Sequence, residues 1–427
     1  MLRRLKSLKI VQSFLMLEGN TRVSVMFEPL WGIPFIFYNF YLSLYLKEMG
    51  ITEQQFGIII AAGFISGAVF SMFGGIITDM LGRKKTTFIF DFFSWSVAIF
   101  IFLISRSFLM FVIATIFNSA VRIVTVSWNL MVVEDADSKQ RVAAYNLLNI
   151  INISVGIVTP LAGILVASSG IVFAERCFMI FAIVSMTIMI LFRNHCYKET
   201  RMGREILDEH KGLKLRDIAR KGIFGGAFKG LGNNPGAALI AAVYILFNLT
   251  LPLGAFNSMY FAPYMTGQAG IDKASVSILG GVYAGIMLLM FLVVNPRMGK
   301  KGGTGSIFSG LLIQGAALVL ITVIPKGGLI PAGLCVALYG LGFGIFKPFL
   351  DSLLADVSGG RERAGFYSLV NTAVSVFSAL IGYASGYIYA FDPRLIFYVT
   401  AGILVLCAIA MGYYRFINKE KHPLESA

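Results

Sequence analysis

Glycine, acid and basic side chains meet at one turn, Gly74-Gly75-Ile-Ile-Thr-Asp79-Met-Leu-Gly82-Arg83-Lys84-Lys85, between two long apolar runs. Asp79 and the Arg83–Lys85 cations supply opposite charges that helix movement locks or releases. Gly82 permits a tight reversal, and Gly75 is expected to admit a second backbone at close range. The chemistry is electrostatic fastening rather than bond making. Nothing in the chain pairs a nucleophile with a base, spaces metal ligands on one face or forms a GxxxxGK[ST] phosphate loop. An enzyme, a metal site, a cofactor or direct ATP drive is therefore not expected.

Other ionisable side chains stand inside apolar runs, where they are costly and mark function by default. Glu28 precedes Pro29 and Pro34, and reads either as an interfacial acid or as a coupling carboxylate. Asp91 lies seven residues beyond Lys84, so that pairing with a neighbouring helix competes with a coupling role. Lys347 and Asp351 are one helical turn apart, which permits a local ion pair. That pair is either structural or a proton-linked switch, and Pro348 breaks the helix ladder between them. Asn118, Arg122, Thr125 and Asn129 recur at helical spacing as a polar stripe, read as pore lining or as an arginine held by its neighbours. Trp31, Phe35 and Tyr38 form an aromatic stripe, and Asn149, Asn257, Tyr260 and Asn371 add polar groups. Packing and interhelical hydrogen bonding are the competing readings there. The three histidines, His195, His210 and His422, lie outside the apolar runs.

These residues need helices that cross a bilayer. The 427-residue chain is 57% hydrophobic and 14% charged, too apolar for a soluble globular protein. About twelve apolar runs reach the roughly 20 residues that span a membrane. They fall near 23–47, 54–78, 86–105, 107–133, 142–168 and 171–192, then 237–265, 275–296, 304–325, 329–355, 364–390 and 394–416. Of 36 Lys and Arg, 28 fall on connections assigned to one side and six, Arg176 among them, on the other. By the positive-inside rule both termini are cytosolic. The net charge of +14 therefore reflects topology and anionic lipid rather than nucleic acid. Four scattered cysteines indicate neither a disulfide framework nor a metal site.

The predicted organisation is a cytosolic segment 1–22, six spans over 23–194, a polar linker 195–235, six spans over 236–417 and a tail 418–427. Residues 1–22 are basic and partly amphipathic, fit to lie along the inner interface. The piece 212–222 can form a surface helix, although a solvated linker is the simpler reading. The halves repeat. Arg141, Tyr145, Leu147 and Asn149 match Arg363, Tyr367, Leu369 and Asn371 at a constant offset, which also brings Glu134 onto Asp356. A worn copy of the charged turn stands at Asn295-Pro-Arg297-Met-Gly299-Lys300-Lys301. Such repeats are a transporter architecture.

Gly75-x3-Asp79-x2-Gly82-Arg83-Lys84 resembles the loop motif between helices 2 and 3 of the major facilitator superfamily, and the resemblance extends over essentially the whole chain. It implies an all-α membrane protein with twelve transmembrane helices in two pseudo-symmetric six-helix bundles. It also implies rocker-switch alternating access, with helices 1, 4, 7 and 10 lining a central cavity. Carried over, Asp79, Arg83 and Glu134 form the charge network of a cytosolic gate, with Gly75, Gly82 and Lys84 shaping it and Asp356 as the repeat's counterpart.

The expected function is a secondary transporter in the plasma membrane, acting as a monomer and exporting amphipathic or aromatic small molecules against protons. The family's antiporter motif in helix 5 has a Gly-Pro step, whereas this chain reads Thr159-Pro160 with Gly163 following, which weighs against that assignment. An importer or facilitator of a sugar, organic acid or other small solute is the alternative. A transporter-like sensor or lipid translocator is the reading from another class.

Overall fold

The computed structural model describes residues 9–209, 235–298, 303–357 and 363–421. The piece 212–222 and Lys300 and Lys301 of the worn turn lie outside the described residues. The side chains of Asp356, Arg363 and Tyr367 do so as well.

Among the described residues, twelve helical stretches of 14 residues or more follow one another: α1 Gly19–Glu48, α2 Glu53–Leu81, α3 Arg83–Ile104, α4 Phe108–Val133, α5 Ser138–Ser169 and α6 Ile171–Cys196. After them come α7 Pro235–Asn248, α8 Val276–Met298, α9 Gly303–Ile321, α10 Leu329–Val357, α11 Arg363–Phe391 and α12 Leu395–Lys421. No strand occurs among the described residues. Ten of these helices are long and apolar enough to cross a bilayer. The other two are α1, which carries Pro29 and Pro34 in its interior, and α7.

The exception at α7 has a physical basis. Its helix stops at Asn248, the chain turns irregularly through Thr250 and Leu253, and a second short helix runs Phe261–Gly267. Irregular backbone at membrane depth survives only where protein covers it. Thr250, Leu253 and Gly254 are buried, and the Thr400 hydroxyl of α12 accepts the Gly254 N–H at 2.9 Å. In α3 the regular ladder gives way to a π-helical turn at Phe92–Val97, directly after Asp91. Such turns recur at functional sites.

Two compact units emerge. One comprises Met1–Asn39, Ala62–Val158 and Val172–Ile223, and the other Phe40–Ala61, Thr159–Ile171 and Phe224–Ala427. In the first, the helix Lys9–Leu15 leads into Leu17, fully buried with Val25, Val132, Ala144 and Leu147 and flanked by Phe14. Arg22 covers the Phe14 ring at 5.4 Å. The segment expected along the lipid interface thus seats Leu17 on α4 and α5.

In the second unit, the ends of α1, α2 and α5 remote from the Lys/Arg-rich connections pack on Tyr260 of the segment after α7, on α8 and on α11. A Cβ at Gly57 would stand 2.8 Å from the Tyr383 carbonyl oxygen and 2.9 Å from that of Gly382. Lys273 pairs with Glu48, Lys47 pairs with Glu53 at 2.9 Å, and the Tyr41 hydroxyl donates to the Lys273 carbonyl at 3.1 Å.

Candidate gating and coupling sites

The charged turn is assembled where α2 passes into α3. Gly82 has φ 84°, a left-handed conformation that other residues rarely adopt, and it aims the first turn of α3 back across α2. Arg83, 3% exposed, reaches both predicted acids. Its Nη1 donates to Asp79 Oδ1 at 3.0 Å, while Nε and Nη2 donate to Glu134 Oε1 at 3.3 and 3.1 Å. A planar guanidinium is suited to this two-sided fork. The Thr87 hydroxyl donates to Ser127 Oγ at 2.8 Å and holds α3 to α4 beside it.

Two details depart from the expectation. Gly74, not Gly75, takes the close approach: a Cβ there would lie 3.5 Å from the Ile123 Cα of α4, whereas one at Gly75 would meet open space. Adjacent residues on a helix point about 100° apart, so only one glycine of the pair can face α4. Lys84 contributes its backbone N–H, and no ion pair of its side chain occurs among the described residues.

Sequence reasoning left Glu199 and Thr200 in the polar linker 195–235. Glu199 Oε1 and Oε2 accept the Arg83 and Lys84 N–H groups at 3.0 Å each, filling the open N-terminus of α3 with a carboxylate. Thr200 donates to Glu134, and the following helix Arg201–Glu209 brings Gly203 against Arg83. No local spacing pointed to this contact, because 116 residues separate Arg83 from Glu199.

A second cluster lies deeper. Asp91 of α3 pairs with Arg193 of α6, and both side chains are buried. The Arg193 charge also acts on Glu28 of α1, and Asn152 of α5 lies beside the Glu28 carboxyl. Trp95 lies beside Asp91. Beside Arg193, the Tyr197 ring lies 5.7 Å away, with its hydroxyl 2.7 Å from Ser24 Oγ. Burial pushes the Tyr197 hydroxyl up to about 12, which keeps it protonated as a hydrogen-bonding group. Two of the predicted coupling acids therefore share one guanidinium. Arg193 stands one residue past the apolar run 171–192 and is counted with the basic connections, which hid the third member.

The chain matches the Major Facilitator Superfamily over residues 31–350 and 247–427. It belongs to that superfamily. NorA, the quinolone resistance protein of Staphylococcus aureus strain MSSA476, is 22% identical over 349 residues, covering 80% of this chain and 82% of NorA. Multidrug resistance protein 2 of Bacillus subtilis strain 168 is 22% identical, covering 86% and 88%. Among solved structures, the nucleoside transporter NupG superposes with TM-score 0.66 at 13% identity, covering 93% of this chain and 99% of NupG. The inward-open xylose transporter XylE from E. coli gives TM-score 0.64 at 16% identity, covering 92% and 95%. The protein is a multi-pass membrane transporter and not an enzyme.

In this member of the superfamily the remaining predicted residues divide between open faces and packed interiors. Ala120 interrupts α4. Arg122 and Thr125 are exposed, Asn129 is half-buried, and Asn129 Oδ1 accepts the Tyr145 hydroxyl of α5 at 3.3 Å. Tyr145, Asn149 and Asn152 continue this open polar face along α5. Asn118 turns the other way and donates to the Ser94 carbonyl of α3 at 3.0 Å. The aromatic stripe is packed: Trp31 stacks on Phe35 at 4.7 Å, and both meet Trp95 edge-on, at 5.4 and 5.8 Å. Phe35 meets Tyr38 at 5.7 Å.

In the second unit the Lys347 ammonium donates to both Asp351 oxygens, at 2.5 and 2.6 Å, and lies over the Tyr244 ring at 5.6 Å. Asp351, Asn257 and Asn371 are exposed. Tyr260 is buried, accepts the Ser385 hydroxyl at 3.2 Å and packs on Tyr389 at 4.9 Å. Thr159, the departure from the antiporter step, has its own complement. A Cβ on Gly280 of α8 would lie 2.8 Å from Thr159 Cγ2, so the threonine methyl occupies space left by a missing side chain.

Proposed function

We propose that this chain is a secondary active exporter that carries amphipathic or aromatic small molecules across the plasma membrane in exchange for protons. Rocker-switch alternating access moves the six-helix bundles 23–194 and 236–417 about the linker 195–235. Both termini and the basic connections face the cytosol, and the monomer is the working unit. Arg83, Asp79 and Glu134 fasten the cytosolic gate, with Asp356 the expected counterpart in the other half.

The observation that carries this reading is the Asp91–Arg193–Glu28 cluster. Two carboxylates share one buried guanidinium, so the ionised cluster holds one net negative charge and a single proton balances it. Buried uncompensated charge is costly, which ties the packing of α1, α3 and α6 to the proton. Asn152 links Glu28 to the open polar face of α4 and α5, where a cargo contacting Arg122, Thr125 and Asn129 is felt by the same cluster. Export rather than import is supported by the likeness to NorA and multidrug resistance protein 2. Lys347–Asp351 is the second coupling pair.

Reconstituted protein in proteoliposomes with an acidic lumen tests the reading, with ethidium as the probe cargo. Ethidium should dissipate the pH gradient, and Glu28→Gln should abolish that response. A gradient that persists at saturating ethidium while ethidium still crosses would overturn proton exchange. If Glu28→Gln and Asp91→Asn both retain the full response, coupling passes to Asp351.

A further inference from the structure

Residue 175 is an acid that no expected role includes. Glu175 stands in the first turns of α6, is 0% exposed, and neither carboxyl oxygen has a hydrogen-bond partner among the described residues. It lies eighteen residues from Arg193. Five helical turns separate them, so both occupy one face of α6, about 27 Å apart at 1.5 Å per residue. The buried stripe Met179, Ala182, Met186 and Met189 runs between them. Neighbouring Arg176 points away, as adjacent helical positions do, and its buried Nε is itself without a hydrogen-bond partner among the described residues.

We propose that Glu175 is a second proton-binding carboxyl, at the end of α6 opposite the Asp91–Arg193–Glu28 cluster. The helices packed on α6 leave it no other occupant. From α1, Tyr38 is the titratable group that feels the Glu175 charge, and it is buried. From α3, residues 92–104 include no ionisable side chain. A carboxylate with neither a hydrogen bond nor a counter-charge is strongly disfavoured in a dry interior, whereas a carboxylic acid is not. Nothing larger than a proton reaches a group with no accessible surface. When α1 and α6 part, water accepts the proton: the O–H bond of Glu175 breaks, hydronium forms and the carboxylate is solvated. Closing the helices requires the reverse step. α6 thus carries one acid-centred proton site near each end, and each closes only with its charge balanced. This assignment rests on the proton-coupled reading above.

Infrared difference spectroscopy in lipid nanodiscs near neutral pH tests it. Wild type minus Glu175→Gln should show the C=O stretch of a protonated carboxyl, and Glu175→Asp should shift that band rather than remove it. Proton release on saturation with ethidium should fall by one proton per transporter in Glu175→Gln. A spectrum and a proton count unchanged by Glu175→Gln would overturn the proposal while leaving coupling at Glu28 intact. Conversely, a Glu175 band present in a transporter whose ethidium flux never moves the pH gradient would sink the antiport reading and leave the site standing. If Glu175→Gln does not fold, glutamate labelled with carbon-13 in the wild type and in Glu28→Gln locates the same band.

Discussion

Arg83 shows how unequal two salt bridges to one side chain can be. Its Asp79 partner is 37% exposed at the side chain, and its Glu134 partner is 12% exposed. Water screens the first pair, whose contribution falls in the range of exposed pairs, about 0–1 kcal/mol. Removing one partner of a buried pair costs about 3–5 kcal/mol, because the remaining charge is stranded. Glu134→Gln is therefore expected to loosen the gate far more than Asp79→Asn. Spin labels on the basic ends of α2 and α4 should report a broad distance distribution for Glu134→Gln and a near-native one for Asp79→Asn. The opposite order would refute this ranking. Glu199→Gln belongs between them, since the amide keeps one acceptor for the α3 N–H groups and loses the charge.

At the scale of elements, close backbone contacts determine which helices can meet. The α2–α11 contact depends on Gly57, where an added Cβ would stand within 3 Å of two carbonyl oxygens, and on Gly386, whose Cβ would stand 3.0 Å from the Gln54 Cα. Backbone cannot yield as a side-chain tip does, and overpacking of this kind costs about 1–3 kcal/mol. Gly57→Leu is expected to separate these ends of α2 and α11, widening the distance between spin labels at Thr52 and Phe391. Unchanged distances would show that the contact is dispensable. The same logic reconciles Thr159 with its site, where the bulk gained on α5 is matched by Gly280 on α8.

For the whole molecule, the proposed orientation has a chemical marker already in place. Cys196, the last residue of α6, is free and exposed, while Cys335 and Cys407 are buried. A membrane-impermeant maleimide should label Cys196 in inside-out vesicles and leave it untouched in intact cells. Labelling from the outside of intact cells would invert the topology and, with it, the reading of the charged turn as a cytosolic gate.

Apolar run length and the segregation of Lys and Arg indicated the helix number, order and expected orientation, because a bilayer imposes both locally. The spacing Gly75-x3-Asp79-x2-Gly82-Arg83 likewise placed the charged turn, since an i,i+4 pair and a glycine reversal are properties of a few neighbouring residues. Partners brought from distant segments were beyond that reach. Arg193 stands one residue past the apolar run 171–192 and Glu199 in the polar linker, and only the fold brings them to Asp91 and to the N-terminus of α3. Trp31 and Phe35 presented an aromatic stripe, but only the approach of α3 turned it into packing around Trp95. Glu175 shows the difference most sharply. One glutamate in six residues of mixed character has no meaning by itself, and its burial with no hydrogen-bond partner among the described residues exists only once the surrounding helices have closed on it.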